Sequence, residues 1–140
     1  MPKNNITVEG ARISVVDDDE SMREAIKTLV GSMGFSVEEF SSAEDFLDSG
    51  RSQKFECLIL DVRMPGMGGL ELQRRLAADS RRLPIVFITA HPIEEERAKA
   101  MAAGAVDFLN KPFTEQELLN AITASLAIRR SIERVDQDSD

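Results

Sequence analysis

Short apolar runs alternate five times with amphipathic segments along this chain. The apolar runs cover residues 13–16, 35–40, 57–60, 85–88 and 106–109. Between them, apolar residues recur three and four positions apart, which is the spacing of one helix face. The second run begins with apolar and polar side chains in alternation, whereas the third is continuously apolar, as in a strand covered on both faces. The pattern predicts an α/β fold in which helices cover both faces of a parallel sheet.

Capping residues mark where several of these helices begin and end. Gly34 follows the first helical segment, where a left-handed C-terminal cap is common. Ser41 with Glu44, and Thr114 with Glu117, have the spacing of a capping box, in which a hydroxyl and a carboxylate satisfy free backbone N–H groups. These signals predict one helix after the second strand and another after the fifth.

The edge-like second strand also predicts the order of the sheet. With right-handed crossovers, it favours a doubly wound, flavodoxin-like sheet with the strand order 2-1-3-4-5. We expect one domain over residues 11–128, preceded by an N-terminal tail over residues 1–10. The polar, acidic segment 129–140 is expected to be a C-terminal tail whose last residues are frayed, or the start of a linker.

Composition excludes several classes of function. The chain has 140 residues, and 25 acidic against 17 basic side chains give a net charge of -8, which argues against direct nucleic-acid binding. Cys57 is the single cysteine, so neither an intramolecular disulfide nor a multi-cysteine metal site is possible. No apolar run approaches the roughly 20 residues that span a bilayer, and no signal peptide is evident. We expect a cytoplasmic protein without membrane contacts.

Acidic residues follow the first and third predicted strands. Asp17 and Asp18 come directly after the first strand, and Asp61 directly after the third. In the predicted order these strands are neighbours, and their carboxyl ends meet where ligands bind in such sheets. Three carboxylates in one crevice repel each other, and a hard divalent cation such as Mg²⁺ relieves that repulsion. The sequence therefore predicts a magnesium site.

Two other polar residues follow strands at the same edge of the sheet. Thr89 comes after the fourth strand and Lys111 after the fifth. An aspartate can act as a nucleophile and form an aspartyl phosphate, while a lysine and a metal ion neutralise charge on a transferring phosphoryl group. Acids, a hydroxyl and an ammonium group together indicate chemistry on phosphate.

Four motifs carry a resemblance to a known family. They are VVDDD at 15–19, LDVRMPG at 60–66, ITA at 88–90 and DFLNKPF at 107–113. Over roughly residues 10 to 128, the chain resembles the receiver domain of two-component response regulators. The MPGMGG loop and the AGAVDF segment are similar to those of FixJ-type receivers, which usually precede a DNA-binding domain.

The resemblance implies a phosphoacceptor and a metal site. Asp61 would accept a phosphoryl group, and Asp17 and Asp18 would position Mg²⁺. Asp18 and Asp61 would be its direct ligands together with the backbone carbonyl of Arg63. The phosphoryl donor would be a sensor histidine kinase, a phosphotransfer protein or a small phosphodonor.

The resemblance also implies residues that sense the phosphoryl group. Thr89 and Lys111 would bind it, and Phe108 would turn inward when Thr89 moves. Arg63 and His91 occupy the positions that flank the phosphoryl group and tune its hydrolysis. Two of these residues also have a simpler interpretation: Phe108 as core packing, and His91 as a solvated loop residue.

The expected output is a change of surface. The fourth helix, predicted over residues 94–103, has few large apolar residues, so we expect it to be weakly anchored. Phosphorylation would alter the face made by helix 4, strand 5 and helix 5. That face would then control a homodimer, a downstream protein or a linked transcription-regulating domain. On this interpretation the domain is not an enzyme, apart from its own phosphorylation and dephosphorylation.

Two other functions are compatible with parts of the pattern. Haloacid-dehalogenase-type phosphatases use a strand-end nucleophile, which would be Asp17, with Asp19 at that family's spacing. Against this, no acidic pair follows Lys111, and Asp61 with its Pro-Gly loop would have no role. A receiver-like module that binds partners without phosphorylation is the second alternative. Asp17 and Asp18 could also simply cap the first helix, a part that we assign to Asp19 and Glu20.

Overall fold

A computed structural model describes residues 10–78 and 82–138, with side chains described as far as residue 131. Five parallel strands form one sheet in the order β2-β1-β3-β4-β5. The strands are β1 (Arg12–Val16), β2 (Ser36–Phe40), β3 (Cys57–Asp61), β4 (Ile85–Thr89) and β5 (Asp107–Asn110). The predicted doubly wound sheet and its strand order are confirmed.

Five helices connect and follow the strands. They are α1 (Glu20–Ser32), α2 (Ala43–Asp48), α3 (Gly69–Ala78), α4 (Glu94–Ala102) and α5 (Glu115–Asp138), with a 3-10 turn at Ser52–Lys54. Among the described helices, none is long and apolar enough to cross a bilayer.

Helix α5 extends beyond the predicted domain boundary. Its backbone is helical as far as Asp138, so the helix continues past residue 128, and the expected tail or linker over residues 129–140 stays a prediction. No glycine or proline follows Pro112 in the sequence, so nothing stops the helix once Thr114 has started it. The N-terminal tail at 1–9 and residues 139–140 lie outside the described residues.

The sheet separates two apolar clusters, because successive side chains of a strand point to opposite faces. One cluster packs the sheet against α1 and α5 and includes Ile26 and Ile122. The other packs it against α2, α3 and α4 and includes Phe46 and Leu72. All five residues of β3 are buried, which confirms the strand predicted to be covered on both faces.

Helix capping follows the predictions with one exception. Asp19 caps α1 by accepting hydrogen bonds from the N–H groups of Ser21 and Met22. Thr114 and Glu117 form the predicted capping box, with reciprocal bonds of 3.0 and 2.8 Å.

The capping box predicted for Ser41 and Glu44 is wrong. Ser42 has the extended backbone of an N-cap, and its hydroxyl accepts from the N–H of Asp45 at 3.0 Å. Ser41 lies one residue too early and donates to the Asp45 carboxylate instead. The Glu44 carboxylate is thereby free to reach another segment of the chain.

Helix α4 is held by few contacts. Ala100 is its one buried residue, and Met101 is half-buried against the cluster beside α3. The buried amide of Gln73 on α3 donates to the carbonyl oxygen of Ala100 at 3.0 Å. Apolar burial provides most of the stability of a helix in a protein. The small buried surface of α4 is consistent with a weakly anchored helix, and weak anchoring stays a prediction.

Candidate functional site

The predicted acidic residues meet at the carboxyl edge of the sheet. Asp17 follows the last residue of β1, and Asp61 is the last residue of β3; the strands pair in the register Val16 to Leu60. Asp17, Asp18 and Asp61 each place a carboxylate oxygen within 4.8 Å of the others. Asp17 and Asp61 are buried, whereas Asp18 is exposed. The cluster therefore has two acids in the protein interior and one facing the solvent.

Lys111 supplies a positive charge to this cluster. Its Nζ lies 3.2 Å from Asp17 Oδ2 and 3.7 Å from Asp61 Oδ2, and its side chain is 14% exposed. A cis peptide bond joins Lys111 to Pro112 directly after β5. One ammonium group facing three carboxylates leaves the site short of positive charge.

This imbalance appears in the pKa of Asp61. Burial and the charge of Asp17 raise that pKa from 3.8 to about 6, while Lys111 and the N–H of Arg63 act in the opposite direction. Burial disfavours the charged form of an acid, and so does a neighbouring negative charge. A cation at the site would favour the ionised form, which is the nucleophilic form of a carboxylate.

The geometry is compatible with Mg²⁺. Oxygen ligands of an octahedral Mg²⁺ lie about 2 Å from the ion and so about 3 to 4 Å apart, and the oxygens of the three carboxylates, all within 4.8 Å of one another, need at most a small shift to reach that spacing. Mg²⁺ prefers oxygen ligands and retains several waters, and the exposed Asp18 leaves room for water. Asp17, Asp18 and Asp61 can therefore hold a divalent cation, with the Arg63 carbonyl as the fourth predicted donor.

Thr89 lies beside this cluster, at the end of β4. It is buried, and its Oγ1 accepts a hydrogen bond from the N–H of His91 at 3.1 Å. Asp61 pairs with Ile88 of the neighbouring strand β4, and Thr89 is the next residue of that strand. His91 is exposed. The hydroxyl of Thr89 retains a donor for a new partner, and the tuning role of His91 stays a prediction.

Arg63 contacts the site through its backbone and α4 through its side chain. Its N–H donates to Asp61 Oδ1 at 3.3 Å. Its guanidinium Nη2 lies 3.0 Å from Glu96 Oε1. The residue thus connects the end of β3 to the first turn of α4.

Phe108 is buried in β5. Its ring lies 6.0 Å from that of Phe87, at an interplanar angle of 41°. In this structure the residue contributes to core packing, as the simpler interpretation expects. Its role as a switch stays a prediction.

Arg23 is a positioning residue that the sequence did not reveal. Its Nη1 donates to the backbone carbonyl of Asp17 at 2.7 Å, and its Nε lies 3.1 Å from Glu39 Oε1. The hydrogen bond from Arg23 is the main cause that lowers the pKa of Glu39. Arg23 lies between apolar positions of α1, where a charged residue usually only faces solvent, so the pattern held no signal for this contact.

Glu44 makes a second contact that the sequence did not reveal. Its Oε2 accepts from the N–H of Met67 at 2.9 Å, which lowers the pKa of Glu44. A side chain on Gly66, where φ is +77°, would come within 2.7 Å of the same oxygen. The first turn of α2 therefore holds the loop that follows β3.

The fold and the site together define a class of protein. It is a doubly wound α/β domain with a cluster of three carboxylates, a lysine and a hydroxyl at the carboxyl edge of its sheet. The sequence matches the family described as response regulator receiver domain over residues 13–123. The chain belongs to this family, and it has the family's phosphoacceptor signalling role.

Individual relatives support a FixJ-type receiver. The response regulator protein TodT of Pseudomonas putida is 50% identical over 116 residues, which are 83% of this chain and 51% of TodT. The transcriptional regulatory protein FixJ of Bradyrhizobium diazoefficiens is 40% identical over 121 residues, 86% of this chain and 58% of FixJ. The solved structure of the response regulator StyR has a TM-score of 0.85 at 47% identity, covering 91% of this chain and 65% of StyR.

These matches bear on the competing interpretations. The haloacid-dehalogenase-type phosphatase and the phosphorylation-independent module are not favoured, because the match to the receiver family covers residues 13–123 and so includes β3 and the loop after it. The chain spans about half the length of the curated relatives it matches.

Proposed function

We propose that Asp61 is the phosphoacceptor, and that it receives its phosphoryl group from a phosphohistidine on a sensor kinase or a phosphotransfer protein. The observation that carries the proposal is the placement of Asp61 beside both Asp17 and Lys111 at one buried edge. Asp17, Asp18, Asp61 and the Arg63 carbonyl would hold Mg²⁺. When bound, that ion would supply positive charge against the phosphoryl oxygens.

The transfer is a displacement at phosphorus. A carboxylate oxygen of Asp61 forms the new P–O bond, and the P–N bond of the phosphohistidine breaks with its electron pair left on the imidazole nitrogen. The product carries added negative charge and strong hydrogen-bond acceptors. Lys111 then exchanges part of its contact with Asp17 for a phosphoryl oxygen, and the hydroxyl of Thr89 donates to another.

Phosphorylation would be converted into a surface change at α4, β5 and α5. The few contacts that hold α4 allow it to shift when Thr89 gains a new partner. Phe108 would change its packing against Phe87 in the same transition. The altered face would then bind a second copy of the chain or a downstream protein.

The proposed organisation is a receiver domain over residues 11–128, with the following segment leading toward an output. Because FixJ is by name a transcriptional regulatory protein, regulation of transcription is the output we propose for the whole protein. This domain itself would bind neither nucleic acid nor membrane, and would catalyse no reaction beyond its own phosphorylation and dephosphorylation. Transfer from an ATP-dependent kinase implies a cytoplasmic location.

Intact mass after incubation with acetyl phosphate and Mg²⁺ tests the acceptor. We expect the wild-type chain to gain one phosphoryl group, and Asp61→Asn to gain none. Asp48→Asn, at an exposed acid of α2, is the control and should be modified like the wild type. Loss of the adduct in Asp17→Asn with steady release of phosphate by Asp61→Asn would instead indicate the phosphatase.

A further inference from the structure

The ion pair between Arg63 and Glu96 joins the acceptor loop to α4. Arg63 follows Asp61 by two residues, and its N–H already contacts the Asp61 carboxylate at 3.3 Å. Its guanidinium is 3.0 Å from Glu96 Oε1. The long side chain is therefore turned toward the helix, although its backbone lies at the reactive carboxylate.

Glu96 differs from the two acids that precede it on α4. Glu94 and Glu95 pair with Arg97 and Lys99 of the same helix, at 3.7 and 4.0 Å, and their side chains are both 79% exposed. The Glu96 side chain is 24% exposed and reaches a different segment of the chain. Glu96 is therefore the one of these three glutamates that can act on the acceptor loop, and Glu94 and Glu95 are matched controls in the same helical turn.

Phosphorylation would give the Arg63 guanidinium a second anionic partner. A guanidinium binds phosphoryl oxygens strongly and often through two parallel hydrogen bonds. The side chain is 46% exposed and has the length to turn back toward Asp61 from two residues away. Glu96 and a phosphoryl group on Asp61 would compete for it.

We propose that Glu96 is a positioning residue that holds Arg63 away from the phosphoryl group and thereby sets how long Asp61 stays phosphorylated. This inference rests on the proposed function of Asp61. In hydrolysis, a water oxygen forms a bond to phosphorus opposite the Asp61 oxygen, and a proton passes to solvent. The P–O bond to Asp61 breaks with its electron pair returned to the carboxylate, and inorganic phosphate leaves.

The direction of the effect follows from where water must approach. Asp61 is buried, so a water that attacks a phosphoryl group on it would come from the solvent, to which the Arg63 side chain two residues away is 46% exposed. A guanidinium released from Glu96 would bind the phosphoryl oxygens and occupy part of this approach. Loss of the Glu96 charge should therefore lengthen the lifetime of the phosphoryl group.

The experiment compares phosphoryl lifetimes of single and double variants. Wild type, Glu96→Gln, Glu95→Gln, Arg63→Ala and the Arg63→Ala/Glu96→Gln double variant are loaded with acetyl phosphate and Mg²⁺. The donor is then removed, and intact mass follows the loss of the adduct. The urea midpoint of each unphosphorylated variant shows whether its fold is retained.

We expect Glu96→Gln to lengthen the lifetime about threefold, as the loss of one partly exposed charge contact allows. Glu95→Gln should match the wild type. In the Arg63→Ala background, the Glu96→Gln change should have no effect, because Glu96 acts through Arg63.

Three outcomes overturn the inference. They are a Glu96→Gln lifetime equal to that of Glu95→Gln, a shortened lifetime, or an effect of the same size without the Arg63 guanidinium. If all variants form the adduct with equal lifetimes, the inference fails while Asp61 remains the acceptor. If the wild-type chain forms no adduct, the proposed function fails, and the inference fails because it depends on that function.

Discussion

Lys111 lies closer to Asp17 than to Asp61: its Nζ is 3.2 Å from Asp17 Oδ2 and 3.7 Å from Asp61 Oδ2. The lysine is thus held mainly by an acid of the predicted cation site while it stays within reach of the predicted acceptor. It offsets part of the repulsion in the acidic cluster before any phosphoryl group arrives.

Removal of this ammonium should destabilise the chain. In Lys111→Met, the buried acids lose their cationic partner, and the free energy of unfolding should fall by about 1 to 3 kcal/mol at pH 8 without divalent cation. At pH 4.5 the loss should be smaller, because Asp61, with a pKa of about 6, is then mostly protonated. Urea unfolding at both pH values measures this, and an equal loss at both would contradict the charge explanation.

Replacement of the predicted acceptor should have the opposite effect. The folded-state pKa of Asp61 is raised from 3.8 to about 6, so the folded chain binds this proton more tightly than the unfolded chain. The contribution of this proton to the free energy of unfolding is complete below about pH 4 and is lost as the pH rises through about 6.

Asp61→Asn should therefore be more stable than the wild type at pH 7 in a chelating buffer, by roughly 1 to 3 kcal/mol. At pH 4 the difference should disappear. Urea midpoints measured across this range test the sign, with Asp48→Asn as the matched control on an exposed acid. A difference that does not vary between pH 4 and 7 would show that the carboxylate of Asp61 is not under electrostatic strain.

Arg23 should affect cation binding without contacting the ion. Arg23→Met removes the hydrogen bond to the Asp17 carbonyl and should weaken Mg²⁺ binding roughly tenfold, as changes to supporting residues commonly do. Lys27→Met is the control, because Lys27 contacts the same Glu39 at 3.3 Å and makes no described contact with Asp17. The chain has no Trp or Tyr, so calorimetric titration is suited to the measurement. Equal affinities in the two variants would remove the positioning role.

Two helical glycines, Gly69 at the start of α3 and Gly31 in the last turn of α1, should respond oppositely to alanine. A Cβ on Gly69 would lie 2.3 Å from the carbonyl oxygen of Asp61 and 3.1 Å from the Phe87 ring, whereas one on Gly31 meets nothing within 4 Å. Gly69→Ala should lower the free energy of unfolding by about 1 to 3 kcal/mol. Gly31→Ala should raise it by up to about 1 kcal/mol. Thermal unfolding of both variants tests the pair, and a neutral Gly69→Ala would mean that the α3 start can move away from β3.

The sequence predicted the parts of the fold that depend on local pattern. The continuously apolar β3 and the edge-like β2 identified the centre and the rim of the sheet. A strand buried on both faces is apolar at every position, whereas a strand buried on one face alternates between apolar and polar residues. The same reasoning placed Asp17, Asp61 and Lys111 at one edge, since parallel strands end together.

The contacts that support the site could not be predicted in this way. Arg23, Glu44 and Glu96 lie on helices with the spacing of solvated residues, and each acquires its role from a partner brought near by the fold. Arg23 is 6 residues from Asp17, Glu44 is 23 residues from Met67, and Glu96 is 33 residues from Arg63. A single sequence contains no signal for such pairs. The one-residue error at Ser41 has a similar source, because only backbone geometry distinguishes it from the adjacent Ser42.

The single buried residue of α4 also has a consequence for the exchange of amide hydrogens with solvent. Helix α4 has Ala100 as its one buried side chain, and Met101, a hydrogen bond from Gln73 and the ion pair of Glu96 with Arg63 are its other contacts described above. It should therefore open more easily than the sheet, and its amides should exchange faster than those of β3. Opening of this kind is local unfolding within the native state. The segment beside the reactive edge can therefore visit other conformations often, while cooperative unfolding of the sheet stays rare.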